Sequence, residues 1–289
     1  MALSSMREIF RRMEDGRLLF WEVVLADDAE ERQVTPEVSK ARMLRTWQAM
    51  REAADAYTGQ RRSVSGLVGG DGMKMRQYNL RGESMCGGYV SQVIAEALSM
   101  AESNACMRRI VAAPTAGACG VLPAVLLPLE LKQHQVLEAL YTSAGIGMVI
   151  AAKASIAGAS GGCQAEIGTA SAMAAGALVA VRGGSGAQIG HAAAMSLKNL
   201  MGLICDPVAG LVEVPCVKRN VIGAVNAVSA ADMAMAGIES RIDVDEVIEA
   251  MGQVSRRMPV EVRETALGGL AATPTGKAVK ERMQASRRK

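Results

Sequence analysis

The chain has little of what a β-rich or nucleic-acid-binding protein needs. Aromatic residues make up 3% of its 289 positions, and there are only two histidines, His134 and His191. Alternating runs of β-branched and aromatic residues, the mark of half-buried strands, are scarce, so a sheet architecture is not expected. The formal net charge is +3 with acids and bases mixed along the sequence, which concentrates no basic surface and argues against nucleic acid as a partner. Charges fall within the first ten residues and no apolar core with a small-residue cleavage site follows, so no secretory leader is expected. Six cysteines then read as reduced thiols rather than a disulfide framework, and the expected compartment is the cytoplasm.

Long hydrophobic runs are also missing. The stretches Ala139 to Ala152 and Ile167 to Val181 are bounded by Glu138 with Lys153 and by Glu166 with Arg182, short of the roughly twenty apolar residues a membrane span requires. Their alanines and glycines suit closely packed buried helices, which also explains how the chain manages with so few aromatics.

Half of the residues are hydrophobic, enough for a substantial core, and helical periodicity dominates, so the expected fold is all-α: a compact helical domain with glycine-rich loops. Residues 1–62 read as an N-terminal helical arm and 63–289 as the catalytic-type domain. In the arm, Thr35 and Pro36 form an N-cap and first helical position, and Met43, Leu44, Trp47 and Met50 make a stripe that seeks a surface on this chain or on another. Glycine clusters at Ser65 to Gly72 and Gly82 to Gly88 read as loops, and Lys74 and Arg76 between them either meet a carboxylate or are solvated. Asp243 opens a further capped helix, while Pro274 and Gly276 mark a late turn before a basic tail.

The stretch from Gly158 to Asn220 holds three cysteines and many glycines. Cys163 and Cys205 lie 42 positions apart, and Cys205 and Cys216 lie 11 apart. This is not the close C-x(2–4)-C pairing of structural zinc sites, and no fourth thiol is near. Three thiolates at helix starts and stops suit a cubane cluster with one iron left open, which would act as a Lewis acid; the other reading of the same residues is three small, inert, buried hydrophobes. The segment Ala113-Pro-Thr-Ala-Gly-Ala-Cys-Gly-Val-Leu-Pro123 reads either as an anion cradle at a glycine-containing helix start or as an ordinary Pro-Gly loop.

Taken together, GASGGCQAEIG, GLICDPVAGLVEVPCVKRN and APTAGACGVLPAV resemble the alpha subunit of iron–sulfur-dependent L-serine dehydratase (L-serine deaminase). The resemblance runs from about Ser65 to Thr275 and includes SGLVGGDG and ETALGGLAATPTGK. It implies that Cys163, Cys205 and Cys216 hold a [4Fe-4S] cluster and that Thr115, Gly117 and Ser155 contribute to the substrate pocket. By the same resemblance Cys86, Cys106 and Cys119 are structural. The implied reaction is elimination of water from L-serine at the open iron, giving pyruvate and ammonia without net redox chemistry. The catalytic base stays unassigned: His134 reads as exposed, and His191 as a core residue or a neighbour of the cysteines. The resemblance further implies a beta portion, here expected as a separate subunit in an oligomer. Two alternatives remain, an L-cysteine desulfidase using the same iron chemistry and a non-catalytic helical assembly subunit whose cysteines are merely buried.

Overall fold

The computed structural model describes residues 3–287. It is 70% helix, and among the described residues no strand forms. The helices are α1 (Met6–Gly16), α2 (Phe20–Glu31), α3 (Pro36–Asp55), α4 (Asp71–Leu80), α5 (Gly87–Ala105), α6 (Val121–Leu126), α7 (Gln133–Lys153), α8 (Gly158–Gly161), α9 (Thr169–Val181), α10 (Gly186–Leu200), α11 (Cys216–Met235), α12 (Val244–Arg257) and α13 (Pro274–Arg287). Several start where the sequence supplies a cap. Thr35 Oγ1 accepts the Val38 N–H with Pro36 at the first helical position, and Asp243 accepts the Asp245 N–H; each satisfies a donor that the first turn cannot pair internally.

α9 is the centre. Every residue from Thr169 to Ala180 is buried, and α7, α10, α11 and α6 pack around it. Small side chains let these helices approach closely, and dispersion over many short contacts replaces the bulk that aromatics would bring. A polar knot fixes the register of three of them. Ser171 on α9 donates to Gly223 O at 2.6 Å and accepts from Ser196 Oγ at 2.7 Å, while Asn226 on α11 donates to both hydroxyls. Every member is paired, so the network specifies the packing without leaving a desolvated group.

The arm helices lie on this same core: Met6, Ile9, Phe20, Val23 and Val24 belong to it, and Met43, Leu44 and Trp47 are partly buried against it. The stripe of α3 therefore finds its surface within the chain. The start of α1 is held from far away, since both Asp245 carboxylate oxygens accept its first N–H groups, from Met6 and Arg7, at 3.0 Å.

Two features differ from expectation. The apolar segments form longer helices than their bare hydrophobic runs: Gln133–Lys153 and Gln164–Val181 span 21 and 18 residues, long and apolar enough on length and composition to cross a membrane. In this fold 67% and 89% of those windows are buried inside the protein, as core helices are. Pro274 does not merely mark a turn; it occupies the first position of α13, which carries the basic segment onward to Arg287. A proline suited to a turn is equally suited to a helix start, and Thr273 Oγ1 takes the Gly276 N–H there.

Candidate functional site

Three connections meet beside the N-terminal end of the α9 helix. The first carries Cys163. It follows α8 and the left-handed Gly162 (φ +73), where a Cβ would come within 2.6 Å of Met258 Sδ and 2.9 Å of Leu203 O. Only glycine makes this turn, and the turn sets Cys163 at the head of a π-helical segment, Gln164–Gly168, that runs into α9. Gln164, fully buried, fastens the segment: its N–H donates to Leu203 O at 2.9 Å, its Oε1 accepts the Gly202 N–H at 2.8 Å, and its Nε2 donates to Ser255 Oγ at 2.9 Å.

The second connection carries Cys205. The sequence suggests a helix end here, but α10 stops at Leu200 and Cys205 lies in extended chain, bridged in parallel to Arg263. Its N–H donates to Val262 O at 2.8 Å and its carbonyl accepts the Glu264 N–H at 2.7 Å. The segment after α12 is thereby held beside Cys205. The third connection leads to Cys216, the first residue of α11. Just before it, buried Glu213 accepts from Ser63 Oγ at 2.5 Å, from the Ser65 hydroxyl and from the Ser65 N–H at 3.3 Å, tying the SGLVGGDG loop to the Cys216 turn.

Cys163, Cys205 and Cys216 are all buried. The Cys163 and Cys205 sulfurs and a Glu166 carboxylate oxygen lie within 4.8 Å of one another. Cys163 is made more acidic, first by a hydrogen bond from the Cys205 thiol and then by Arg219, against the opposing effect of burial. Cys205 is pushed up by that same bond, by burial and by the charges of Cys163 and Cys216. Cys216 is pushed up to about 12 by burial and by the neighbouring Cys163 and Glu166. Three thiolates cannot coexist here without added positive charge, which is the condition a thiolate-bound metal centre meets when metal replaces protons.

Glu166 is the group that motif reading missed. It sits three positions after Cys163 in CQAE, a helical spacing that puts both on one side. Thr115 Oγ1 donates to its Oε1 at 2.7 Å. Burial raises its pKa, with Glu264 adding to the effect and the Thr115 bond opposing it. Gly117 comes so close that a Cβ there would lie 3.2 Å from Glu166 Oε1. Asn220 on α11 holds that turn in place, accepting the Gly120 N–H at 2.9 Å and donating to Gly117 O at 2.8 Å.

Arg219 was missed as well, although it follows Cys216 by the same three-residue step. Its guanidinium donates to Ile204 O at 2.8 Å and pairs with Asp206 at 2.9 Å, and its charge acts on Cys163. Of the substrate-pocket candidates, Thr115 and Gly117 adjoin Glu166, whereas Ser155 accepts the Ala157 N–H in the turn before α8. His191 Nδ1 accepts the Ser240 N–H at 3.4 Å, and His134 is exposed. Lys74 pairs with Asp71 and Arg76 with Glu96. Cys119 is fully buried with its thiol on Met100 O, Cys106 is half-buried and Cys86 is exposed.

Comparison with known proteins places this geometry in context. A family model described as "Serine dehydratase alpha chain" matches residues 15–271. The chain is 44% identical over 283 residues to a "Probable L-serine dehydratase, alpha chain" of Bacillus subtilis, covering 96% of this chain and 94% of the relative. It is 39% identical to the "L-serine dehydratase, alpha chain" of Peptoniphilus asaccharolyticus, covering 96% and 97%. Against "L-serine dehydratase 2" of Escherichia coli the identity is 45% over 181 residues, which is 61% of this chain but only 40% of that longer protein.

Proposed function

This chain belongs to the serine dehydratase alpha-chain family, and we propose that it converts L-serine to pyruvate and ammonia with an iron–sulfur cluster held by Cys163, Cys205 and Cys216. The observation that carries the reading is that the Cys163 and Cys205 sulfurs, from separate connections, lie within 4.8 Å of each other and of a half-buried Glu166 carboxylate oxygen, with the buried Cys216 thiol near enough for its charge to act on Cys205. The donor set fits the group: all ligands are thiols, their number leaves one iron of a four-iron cluster without a protein thiolate, and their own electrostatics call for added positive charge. When bound, such a cluster supplies a Lewis acid that makes the β-hydroxyl of serine a better leaving group.

The chain's own residues supply the rest. Glu166, its Oε1 engaged by Thr115, takes the α-proton on Oε2; burial makes it a stronger base than an ordinary carboxylate. Departure of the β-hydroxyl leaves an enamine, which tautomerises to an imine and hydrolyses to pyruvate and ammonia. The turn through Gly117, held by Asn220, lets a small carboxylate come close to backbone N–H groups. In this reading the segments paired at Cys205 and at Val262–Glu264 limit water at the reacting atoms.

A separate beta chain completes the enzyme in this proposal. The longer E. coli relative matches over only 40% of its length, so in that protein further sequence accompanies the alpha-type region. The division into an arm, 1–62, and a catalytic region, 63–289, belongs to the same proposal. The test is anaerobic reconstitution with iron and sulfide, co-purification with a serine dehydratase beta chain, and pyruvate measured from L-serine. Turnover should vanish in air, return with ferrous iron and reductant, and be indifferent to pyridoxal phosphate. Sulfide release from L-cysteine without serine turnover would make the chain a desulfidase instead. A colourless, iron-free protein with an unchanged fold would make it an assembly subunit.

A further inference from the structure

We infer that Arg219 is a positioning residue for the iron-binding thiols: its guanidinium ties the Cys216 helix to the Cys205 connection and supplies positive charge buried beside the thiols. The inference rests on the cluster reading above and goes beyond it, because ligand identity alone says nothing about what sets the cluster's stability or potential. Arg219 ties two of the thiol-bearing elements together. It sits on α11 one helical step from Cys216, donates to the carbonyl of Ile204 immediately before Cys205 and pairs with Asp206 immediately after it, and its charge acts on Cys163. A planar fork with donors at fixed angles can serve both acceptors together, whereas a lysine ammonium on a flexible stem cannot hold them in one geometry.

The pair is costly to bury, its side chains being 15% and 2% exposed, so it needs compensation from its surroundings. Asp206 is only partly spent on Arg219, because its Oδ2 also accepts the Leu270 N–H at 2.8 Å. Glu166 is a carboxyl whose charge acts on all three thiols. The Arg219 guanidinium opposes it, acting on Cys163 and Cys216. Hydrogen bonds to cluster sulfurs and local charge are established levers on reduction potential, and a buried cation favours the reduced, more negative cluster.

The test uses the full chain, reconstituted anaerobically with iron(II) and sulfide, as wild type, Arg219→Met and Arg219→Lys. Far-UV circular dichroism follows the fold, stripping by a ferrous chelator gives cluster lability, and anaerobic titration gives the midpoint potential. Arg219→Met should bind iron about 10–100-fold more weakly, the range seen when outer partners of metal ligands are removed, read here as faster stripping, and its potential should fall. Arg219→Lys should keep the wild-type potential, because charge is retained, and still lose iron faster, because the fork is gone. Should Arg219→Met lose its helical signal, Arg219→Lys decides alone: wild-type stripping in that variant overturns the inference. Wild-type stripping and potential in a folded Arg219→Met overturn it equally. A wild-type chain that binds no iron overturns the cluster reading and the role of Arg219 with it, which distinguishes that failure from a failure of Arg219 alone.

Discussion

Along α9 every residue from Thr169 to Ala180 is buried and none is charged, whereas the segment feeding it carries a thiol, a carboxamide and a carboxyl at Cys163, Gln164 and Glu166. Both regions are interior, and they are stabilised differently. The helix gains from close approach of small apolar side chains, which is non-directional and tolerates change of similar volume. The thiol pocket depends on hydrogen bonds from side chains to distant backbone, with Gln164, Asn220, Arg219 and Asp206 each serving two or more partners. Directional bonds fix positions of atoms, and chemistry needs fixed positions; packing fixes only the frame that carries them.

The two regions should separate under mutation. The largest effect belongs to the thiols. Cys163→Ser, Cys205→Ser and Cys216→Ser should each lose nearly all cluster absorption and bound iron with the helical signal kept, while Cys86→Ser, Cys106→Ser and Cys119→Ser should retain the cluster. Full iron content in any one of the first three removes that residue from the ligand set. Next is Glu166→Gln, which should lower kcat by about 10²–10⁴, the usual contribution of a general base, with iron content unchanged. Wild-type turnover in that variant would exclude Glu166 as the base.

The frame should behave in the opposite way. Ile146→Ala, at a fully buried position on α7 in the core around α9, should cost about 2–5 kcal/mol in denaturant unfolding yet leave iron loading intact. If it emptied the site, packing and pocket would be one cooperative unit and the contrast would fail. The smallest effect is expected at Thr35→Ala, about 1 kcal/mol for a lost N-cap, measured as a lowered unfolding midpoint with no change in iron content.

The frame was largely legible in the sequence. The caps at Thr35 and Asp243, the helical periodicity and the alanine-rich runs are local signals, and local signals survive folding because the helix itself is local. The pocket was legible only in part. The thiols stood out by residue type, but the partner of Cys205 is backbone at Val262 and Glu264, and nothing in a sequence marks which distant amide will pair with which. Glu166 and Arg219 lay within reach of the helical three-residue step from Cys163 and Cys216; ordinary charged residues carry no flag until a neighbour gives them one. Pro274 was ambiguous because the same fixed φ starts a helix or makes a turn.

The carboxylate of Asp245 on the first N–H groups of α1 spans 239 positions of sequence, and this has a meaning for synthesis. A ribosome adding about 5–20 residues per second leaves on the order of ten seconds or more between the emergence of Met6 and that of Asp245. Until then α1 has Ser5 for one of its orphan donors and no cap for Met6 and Arg7, so its apolar face waits beside the nascent chain. A helix made early is thus locked late, its start held only once the α12 region has left the exit tunnel.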